Sequence, residues 1–282
     1  MKVAVIGLGL IGGSLALDIK KAFPTSEIVG LDTNKQHVSK ALELKIIESE
    51  LQFEALNTVD VVIVSIPVNV AVLEVTKVLD IVNETAVVID VGSTKLPICE
   101  AVKTHKNRRQ FLATHPIAGT EFSGPDSALL GLFKNKTNII CDIEKTAAQL
   151  QKRALSIFEA IGMNLRYMNP EAHDKHIAYV SHLSHISSFM LGKTVLEKEK
   201  NERDIFDMAG SGFASTVRLA KSSPKMWTPI FQQNKNNVIE TLEEYISNLN
   251  QFKTLLQSDD FDGVFKEMED TNYIKQVLKG IY

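Results

Sequence analysis

The sequence predicts two domains, an α/β domain with an open parallel sheet over residues 1–169 and an all-α domain over residues 170–282. Up to residue 168, short and continuously apolar runs, typical of strands buried on both faces, alternate with helical patterns. Beyond residue 170 only helical patterns remain. The chain has 282 residues, 44% of them hydrophobic, which is enough for two cores.

A glycine-rich turn follows the first predicted strand. Residues 2–6 (KVAVI) read as a buried strand, residues 7–12 (GLGLIG) match G-x-G-x-x-G, and a helix is predicted to extend to about Phe23. In a dinucleotide-binding fold of the Rossmann type, these glycines allow a tight turn, close approach of a pyrophosphate and close helix packing. The alternative is a glycine turn in an unrelated α/β protein. The residues expected to contact the dinucleotide are Gly7, Gly9, Leu10, Ile11 and Gly12.

An acidic residue ends the second predicted strand. The strand covers residues 27–31 and leads to Asp32, twenty positions after Gly12, where this fold places the acid that binds the adenosine ribose. The carboxylate of Asp32 would repel a 2′-phosphate, so NAD is favoured over NADP. Lys35 follows closely and leaves that choice open.

Two further apolar strands end in loops suited to ligand binding. The strand at 61–65 has Ser65 as its last residue and leads into Pro67, and the strand at 86–90 leads into Ser93. Ligands bind at the carboxyl edge of an open parallel sheet, so these loops are expected to converge on the nicotinamide end of the cleft. Ser93 has an alternative role, capping a helix that starts near Lys95.

The stretch at 115–121 (HPIAGTE) follows another strand-like run, residues 111–114. A histidine takes up a proton near neutral pH, Pro116 restricts the backbone, and Gly119 allows close approach of a ligand. His115 is therefore a candidate general base. The alternative is a strand-end histidine that only satisfies a neighbouring carbonyl group.

The α/β domain is expected to end at residues 169–171 (NPE). A strand at 138–141, a helix at 146–161 and a strand at 164–168 precede this point. The NPE tripeptide has an asparagine cap, a proline in the first turn and an acid, all typical of a helix start.

The first helix of the second domain is predicted over residues 170–200. Its apolar residues surround the helix, which indicates a central helix buried among partners. At 100° per residue, His173 and His176 point away from His182 and His185, so the two pairs are not expected to share a site, and the first pair is placed at the surface.

The stretch at 181–185 (SHLSH) carries four polar side chains on this otherwise apolar helix. Such groups cost free energy unless they are paired, and a polar substrate would satisfy them. The alternative is that these side chains are buried and paired with other groups of the protein. A metal site is disfavoured, because no acidic or cysteine ligand accompanies the histidines at a recognised spacing.

Arg218 follows a glycine-containing break and precedes the single tryptophan, Trp227. This setting indicates a partly enclosed cation that could hold a carboxylate by two hydrogen bonds, although a surface ion pair is the simpler alternative. The tail over residues 230–282 reads as two amphipathic helices for packing or dimer contact.

Charge and composition exclude several classes of function. The 31 basic and 34 acidic residues give a net charge of −3, which disfavours binding to nucleic acid or an anionic membrane. No apolar run reaches membrane-spanning length. Cys99 and Cys141 belong to no metal motif and fit a reducing compartment. Glycines interrupt the apolar N-terminus, which argues against a signal peptide and favours the cytoplasm.

Taken in order, the glycine loop, the Ser93 loop, residues 115–121 with Ser123 and Gly124, the SHLSH helix, and Arg218 with Trp227 resemble the prephenate dehydrogenase family of tyrosine biosynthesis. The resemblance covers nearly the whole chain. It departs from the family at three positions: Ser184 replaces a frequent proline, Ser211 interrupts a frequent glycine run, and Val217 replaces a common threonine.

The resemblance implies an NAD-dependent oxidative decarboxylation of prephenate, in which a hydride leaves the hydroxyl-bearing ring carbon, CO₂ leaves the opposite carbon, and 4-hydroxyphenylpyruvate forms. It implies that His115 is the general base on the ring hydroxyl, that Ser93 shares a hydrogen bond with that hydroxyl, and that Arg218 binds a carboxylate. The other residues implied in substrate binding are Ser181, His182, His185 and Trp227, with Glu121 guarding the entrance.

The resemblance also implies a homodimer formed through the helical domain. No regulatory domain is expected after the helices. The alternatives are an arogenate dehydrogenase, a 3-hydroxyacid dehydrogenase, which would use a lysine in its helical domain, and a dinucleotide-sensing protein without catalysis.

Overall fold

The computed structural model describes residues 1–200 and 204–279. The end of the predicted tail helices, residues 280–282, lies outside this part. The chain forms two compact units, one of residues 1–235 and one that begins at Asn236. The predicted domain boundary at residues 169 and 170 stays a prediction.

The first unit contains an eight-stranded sheet with the order β3-β2-β1-β4-β5-β6-β7-β8. Neighbouring strands are parallel except for β6 and β7, which pair antiparallel. This arrangement confirms the predicted α/β class, with one antiparallel pair that the sequence pattern did not predict. The strands are β1 (Lys2–Ile6), β2 (Glu27–Leu31), β3 (Ser49–Glu50), β4 (Val61–Val64), β5 (Val87–Asp90), β6 (Phe111–Pro116), β7 (Thr137–Cys141) and β8 (Asn164–Met168).

Helices cover both faces of this sheet, as expected for parallel strands that are apolar throughout. The helices of this region are α1 (Leu10–Ala22), α2 (Lys35–Glu43), α3 (Val68–Ile81), α4 (Leu96–Val102) and α5 (Ala148–Ala160). One core lies under α1, α2 and α5, and a second lies under α3 and α4. Both cores hold the carboxyl ends of β1, β4, β5 and β6 in place at one edge.

The chain after β8 is helical, as predicted. The helices are α6 (Pro170–Ile177), α7 (Leu183–Glu199), α8 (Ser211–Thr216), α9 (Pro224–Gln233), α10 (Lys235–Gln257), α11 (Phe261–Thr271) and α12 (Ile274–Leu278). Asn169 caps α6, because its side chain accepts a hydrogen bond from the Ala172 amide at 2.7 Å. Up to residue 279, the tail has one short helix, α12, beyond the two that the sequence predicted.

A π-helical turn, Ala178–His182, joins α6 to α7. The predicted helix over residues 170–200 is therefore helical throughout, but its two halves are rotated relative to a regular α-helix. The prediction that it is buried all round was wrong for the single chain, since Val180 is 73% exposed and Met190 51% exposed.

Strand β6 extends further than the sequence pattern indicated. His115 and Pro116 lie in the strand and pair with Ile139 and Asn138 of β7. The antiparallel partner explains the extension, because it continues the ladder past the end of β5. His115 is thus held on a strand rather than on a loop.

No helix within residues 1–200 and 204–279 is both long and apolar enough to cross a membrane.

Candidate active site

The glycine turn between β1 and α1 requires two of its glycines sterically. Gly7 has φ +93°, and a Cβ atom there would lie 2.2 Å from the carbonyl oxygen of Ser65. A Cβ atom at Gly12 would lie 2.0 Å from the carbonyl oxygen of Gly7. At Gly9, by contrast, a Cβ atom would meet no described atom within 4 Å. Backbone atoms therefore leave no room for a side chain at Gly7 and Gly12, whereas the space beside Gly9 is open.

The open side of the turn faces the start of α1, which begins at Leu10 with Gly9 as its N-cap. The first N–H groups of a helix have no intrahelical partner, and they attract anions. Leu10 and Ile11 lie in this first turn. These positions fit a pyrophosphate group.

Asp32 is fixed at the carboxyl end of β2. Its Oδ2 accepts a hydrogen bond from the Leu8 amide at 2.9 Å, and its Oδ1 accepts one from the Asn34 amide at 2.8 Å. Lys35 Nζ lies 2.5 Å from Glu50 Oε1. The nearby cation is thus engaged with another carboxylate. This donor and acceptor set fits the ribose of NAD and disfavours a 2′-phosphate.

Ser65, Pro67 and Ser93 lie at the same edge of the sheet. Ser65 directly follows β4, Pro67 precedes the first residue of α3, and Ser93 lies in the loop between β5 and α4. The strands are in register there, since Val64 pairs with Asp90 and Asp90 pairs with Ala113 of β6. The fold therefore brings these loops to the edge that also carries His115.

The alternative role of Ser93 as a helix cap is wrong. Helix α4 begins at Leu96, and its N-cap residue is Lys95 rather than Ser93. The Lys95 side chain makes no capping hydrogen bond to the described residues. A carboxylate from another helix takes this role instead. Asp174 of α6 accepts hydrogen bonds from the amides of Lys95 at 2.7 Å and Leu96 at 2.9 Å.

His115 is partly buried at the end of β6, and its Nδ1 lies 2.8 Å from Nε2 of His173. Burial lowers the pKa of His115 well below its ordinary value, and the neighbouring His173, Lys95 and His182 lower that pKa further. The Lys95 ammonium group is itself buried and held by Asp90 and by the carbonyl oxygen of Thr114. His115 is therefore a neutral imidazole near neutral pH and can accept a proton.

The prediction that His173 lies at the surface was wrong. His173 is 2% exposed, and its Nδ1 lies 2.7 Å from Oδ1 of Asp174. His176, one turn further along α6, is exposed as predicted. The sequence contains one indication of this buried contact, because His173 and Asp174 are adjacent.

The expectation that the two histidine pairs cannot share a site was wrong for His173, although it holds for the exposed His176. Nine residues separate His173 from His182, which is about 180° in a regular helix. The π turn between them adds a residue and reduces that angle to about 80°. The amide of Asn234 connects the two, with Nδ2 at 2.7 Å from the carbonyl oxygen of Asp174 and at 3.2 Å from Nδ1 of His182.

A buried cluster of rings surrounds His182. His185 stacks on Trp227 with ring centroids 3.6 Å apart, and His182 meets Trp227 edge-on at 5.8 Å. The Nδ1 atom of His185 lies 2.9 Å from the carbonyl oxygen of Ser181. Burial lowers the pKa of His182 to about 4 and also lowers the pKa of His185. Both rings are therefore neutral near neutral pH.

Two polar atoms in this cluster have no hydrogen-bond partner among the described residues. They are Nε2 of His182 and Nε1 of Trp227, and both are buried. Asn234 donates to Nδ1 of His182, so Nε2 of that ring carries its proton. The cluster thus presents two buried N–H donors, which a ligand with oxygen acceptors would satisfy.

Arg218 lies in a short helical turn between α8 and α9, and its Nη1 is 3.3 Å from Oε2 of Glu121. The Arg218 side chain is 53% exposed, whereas that of Glu121 is 19% exposed. The expectation of a partly enclosed arginine was therefore wrong in this state, because Arg218 forms a surface ion pair. The pair joins two of the predicted site residues.

No group of three or more His, Cys, Asp or Glu side chains within the described ranges is arranged to hold a metal ion.

The fold and the site together define an oxidoreductase with a nucleotide-binding α/β domain and a partly buried histidine at the carboxyl edge of its sheet. Comparison with known proteins narrows this class. Residues 15–167 match the model of the prephenate dehydrogenase nucleotide-binding domain, and residues 169–270 match that of the prephenate dehydrogenase dimerization domain. The chain belongs to the prephenate dehydrogenase family.

Individual relatives agree with this assignment over nearly the whole chain. The structure of prephenate dehydrogenase from Aquifex aeolicus, in complex with hydroxyphenyl propionate and NAD⁺, is 31% identical with a TM-score of 0.90, and the match covers 99% of this chain and 98% of that one. The arogenate dehydrogenase of Synechocystis is 26% identical with a TM-score of 0.79, covering 98% and 99%. Prephenate dehydrogenase of Bacillus subtilis is 29% identical, covering 94% of this chain and 72% of the relative.

Proposed function

We propose that this protein catalyses the NAD⁺-dependent oxidative decarboxylation of prephenate to 4-hydroxyphenylpyruvate in tyrosine biosynthesis. The observation that carries the proposal is the state of His115. Its Nδ1 is engaged with His173, its pKa is lowered, and it lies at the edge of the sheet where the glycine turn and Asp32 fit NAD. A neutral imidazole at this edge is suited to act as a general base.

The remaining site residues fit a substrate with several oxygen atoms. The unpartnered N–H groups of His182 and Trp227 would donate to substrate oxygens, and His185 and Ser181 extend the same polar face. Arg218 would bind a substrate carboxylate, in place of its present partner Glu121. Glu121 would then control entry of the substrate.

Within this site His115 would take the proton of the ring hydroxyl, and Ser93 would share a hydrogen bond with the same oxygen. Bound NAD⁺ supplies the acceptor for the hydride that leaves the hydroxyl-bearing ring carbon. Loss of CO₂ then makes the ring aromatic, and this provides the driving force. The protein residues contribute binding, orientation and a fixed place for one proton.

Arogenate is the second candidate substrate, because the Synechocystis relative that matches 98% of this chain is an arogenate dehydrogenase. Prephenate and arogenate share the ring hydroxyl on which His115 would act. They differ in the side chain, which is an oxo acid in one and an amino acid in the other. The same base therefore serves both substrates.

A homodimer formed through the helical domain belongs to this proposal. The second matching family model is a dimerization domain, and the π turn and α7 expose apolar side chains in the single chain, Val180 in the former and Met190 and Leu196 in the latter. Burying these side chains against a second copy would stabilise the assembly. A cytoplasmic location is also proposed, since Cys99 and Cys141 are buried free thiols.

One experiment tests the function directly. The protein is mixed with NAD⁺ and prephenate while the absorbance of reduced nicotinamide is followed, and the assay is repeated with arogenate and with NADP⁺. Rapid reduction with prephenate and NAD⁺ is the expected result. Reduction only with arogenate would move the assignment to the second candidate, and no reduction with any pair would favour a sensing role.

A further inference from the structure

A chain of three side chains extends from the candidate base into the protein. The Nδ1 atom of His115 lies 2.8 Å from Nε2 of His173, and Nδ1 of His173 lies 2.7 Å from Oδ1 of Asp174. His173 and Asp174 are 2% and 1% exposed. The two rings meet edge-on, with centroids 5.0 Å apart. A buried, connected set of this kind fixes the position of every proton in it.

The positions of the protons on His115 and His173 follow from the hydrogen bonds of Asp174. The carboxylate of Asp174 accepts hydrogen bonds from the Lys95 and Leu96 amides, which can only donate. The same carboxylate is therefore an acceptor toward His173 as well, and Nδ1 of His173 carries the proton. Neutral His173 then offers a lone pair at Nε2, and His115 must donate from its own Nδ1.

We propose that His173 and Asp174 are positioning residues that hold His115 in the tautomer with a proton on Nδ1 and a free lone pair on Nε2. This inference rests on the proposed function, in which His115 is the general base. The opposite tautomer of His115 would carry a proton on Nε2 and could not accept another there without first losing it. This relay of His115, His173 and Asp174 therefore selects the tautomer of His115 that can accept a proton.

The charges around the relay favour neutral histidine rings at rest and stabilise His115 once it has taken up a proton. Lys95 is neutralised by Asp90, and His182 faces the relay through Asn234. Burial lowers the pKa of His173, whereas its hydrogen bond to Asp174 opposes that effect. When the substrate O–H bond breaks, its proton comes to rest on Nε2 of His115. The Asp174 carboxylate then stabilises the resulting cation through His173.

The test compares two substitutions of His173. His173→Leu removes the acceptor for His115, whereas the Oε1 atom of Gln in His173→Gln can accept the same N–H. We expect His173→Leu to lower kcat by about 10- to 1000-fold, and in any case by less than the loss measured for His115→Asn, which removes the base itself and is expected to cost roughly 10²- to 10⁴-fold. His173→Gln should recover part of that loss. The matched control is His176→Leu, an exposed position on the same helix, which should leave kcat unchanged.

A double-mutant cycle separates positioning from damage to the fold. If His173 acts only through His115, then His173→Leu should have little further effect on kcat in a His115→Asn background. A loss of the same size in both backgrounds would overturn the proposal. Tm and NAD⁺ affinity of each variant show whether the variant is folded.

A second measurement is independent of turnover. Nitrogen NMR of the imidazole rings reports the tautomer of His115 in the wild-type protein, and the proton is expected on Nδ1. In His173→Leu the tautomers should become mixed. A proton on Nε2 in the wild type would overturn the relay whatever the activity, whereas the expected tautomer with no turnover on either substrate would retain the relay and overturn the proposed function.

Discussion

The guanidinium Nη1 of Arg218 lies 3.3 Å from Oε2 of Glu121, so the cation expected to bind a substrate carboxylate faces a carboxylate of its own chain. Position 121 follows the strand that carries the candidate base, and position 218 follows α8. An exposed ion pair of this type contributes at most about 1 kcal/mol, so an incoming carboxylate can displace it. If Arg218 binds the substrate as proposed, the substrate carboxylate and Glu121 would compete for this one arginine.

Arg218→Ala should raise KM for prephenate by about 10- to 100-fold, because a charge-assisted hydrogen bond to a carboxylate contributes roughly 1.5–3 kcal/mol. Steady-state kinetics measures the effect. Lys221→Ala is the matched control, since Lys221 is an exposed cation in the same short turn. An unaltered KM in Arg218→Ala would leave Arg218 a structural residue.

Glu121→Gln should lower KM by up to about 5-fold, because the substrate carboxylate would no longer compete with an ion pair of up to about 1 kcal/mol. The effect should shrink as salt is added, since salt screens exposed charges. A higher KM in Glu121→Gln would show that Glu121 contributes to binding rather than competing with the substrate.

His115→Asn should lower kcat by about 10² to 10⁴ while substrate and NAD⁺ still bind, because the change removes a general base and keeps a polar side chain. Turnover and equilibrium binding are measured on the same preparation. His176→Asn serves as the control on an exposed histidine. Unchanged turnover in His115→Asn would remove the base assignment.

Asp32→Ser should weaken NAD⁺ binding by about 10- to 100-fold and narrow the preference for NAD⁺ over NADP⁺, because it removes the carboxylate that would accept ribose hydrogen bonds and repel a 2′-phosphate. Lys35→Gln should leave the preference unchanged, since Lys35 is paired with Glu50. Binding titrations with both cofactors measure these changes. A wild-type protein that prefers NADP⁺ would contradict the role given to Asp32.

The free energy of unfolding should fall in acid partly because of His182. Its pKa is about 4 in the folded protein and about 6.5 when unfolded, so the unfolded state binds more protons between these values. The stabilising contribution is complete above about pH 6.5 and is lost toward about pH 4, on the order of 3 kcal/mol. Urea unfolding at a series of pH values should show a smaller acid loss in His182→Gln than in the wild type.

Local sequence patterns predicted most of the α/β domain correctly. The first strand, the glycine turn, α1 and the strand before Asp32 lie within one or two residues of their predicted positions. Each of these elements follows from short-range rules, such as apolar runs and glycine sterics. The end of β6 was missed because its length depends on β7, an antiparallel partner more than twenty residues away.

The site was predicted less completely, for a geometric reason. A helical wheel assumes a constant 100° per residue, and the π turn at Ala178–His182 breaks that assumption. The wheel therefore separated His173 from His182, and the position of His173 near the helix start suggested a surface location. A surface ion pair was the alternative for Arg218, but its partner Glu121 could not be identified because the two segments lie far apart in the sequence.

Toward the α/β domain, the carboxylate of Asp174 meets the main-chain amides of Lys95 and Leu96. Any residue except proline supplies such an amide, so this join does not depend on side-chain identity at positions 95 and 96. Consider a chimaera in which the helices from α6 onward are combined with the α/β region of another dehydrogenase. It would keep the hydrogen bonds of Asp174 wherever the main chain followed the same path at the start of α4. At this one contact, exchange is thus limited by backbone geometry, whereas the contact between His115 and His173 also requires both side chains.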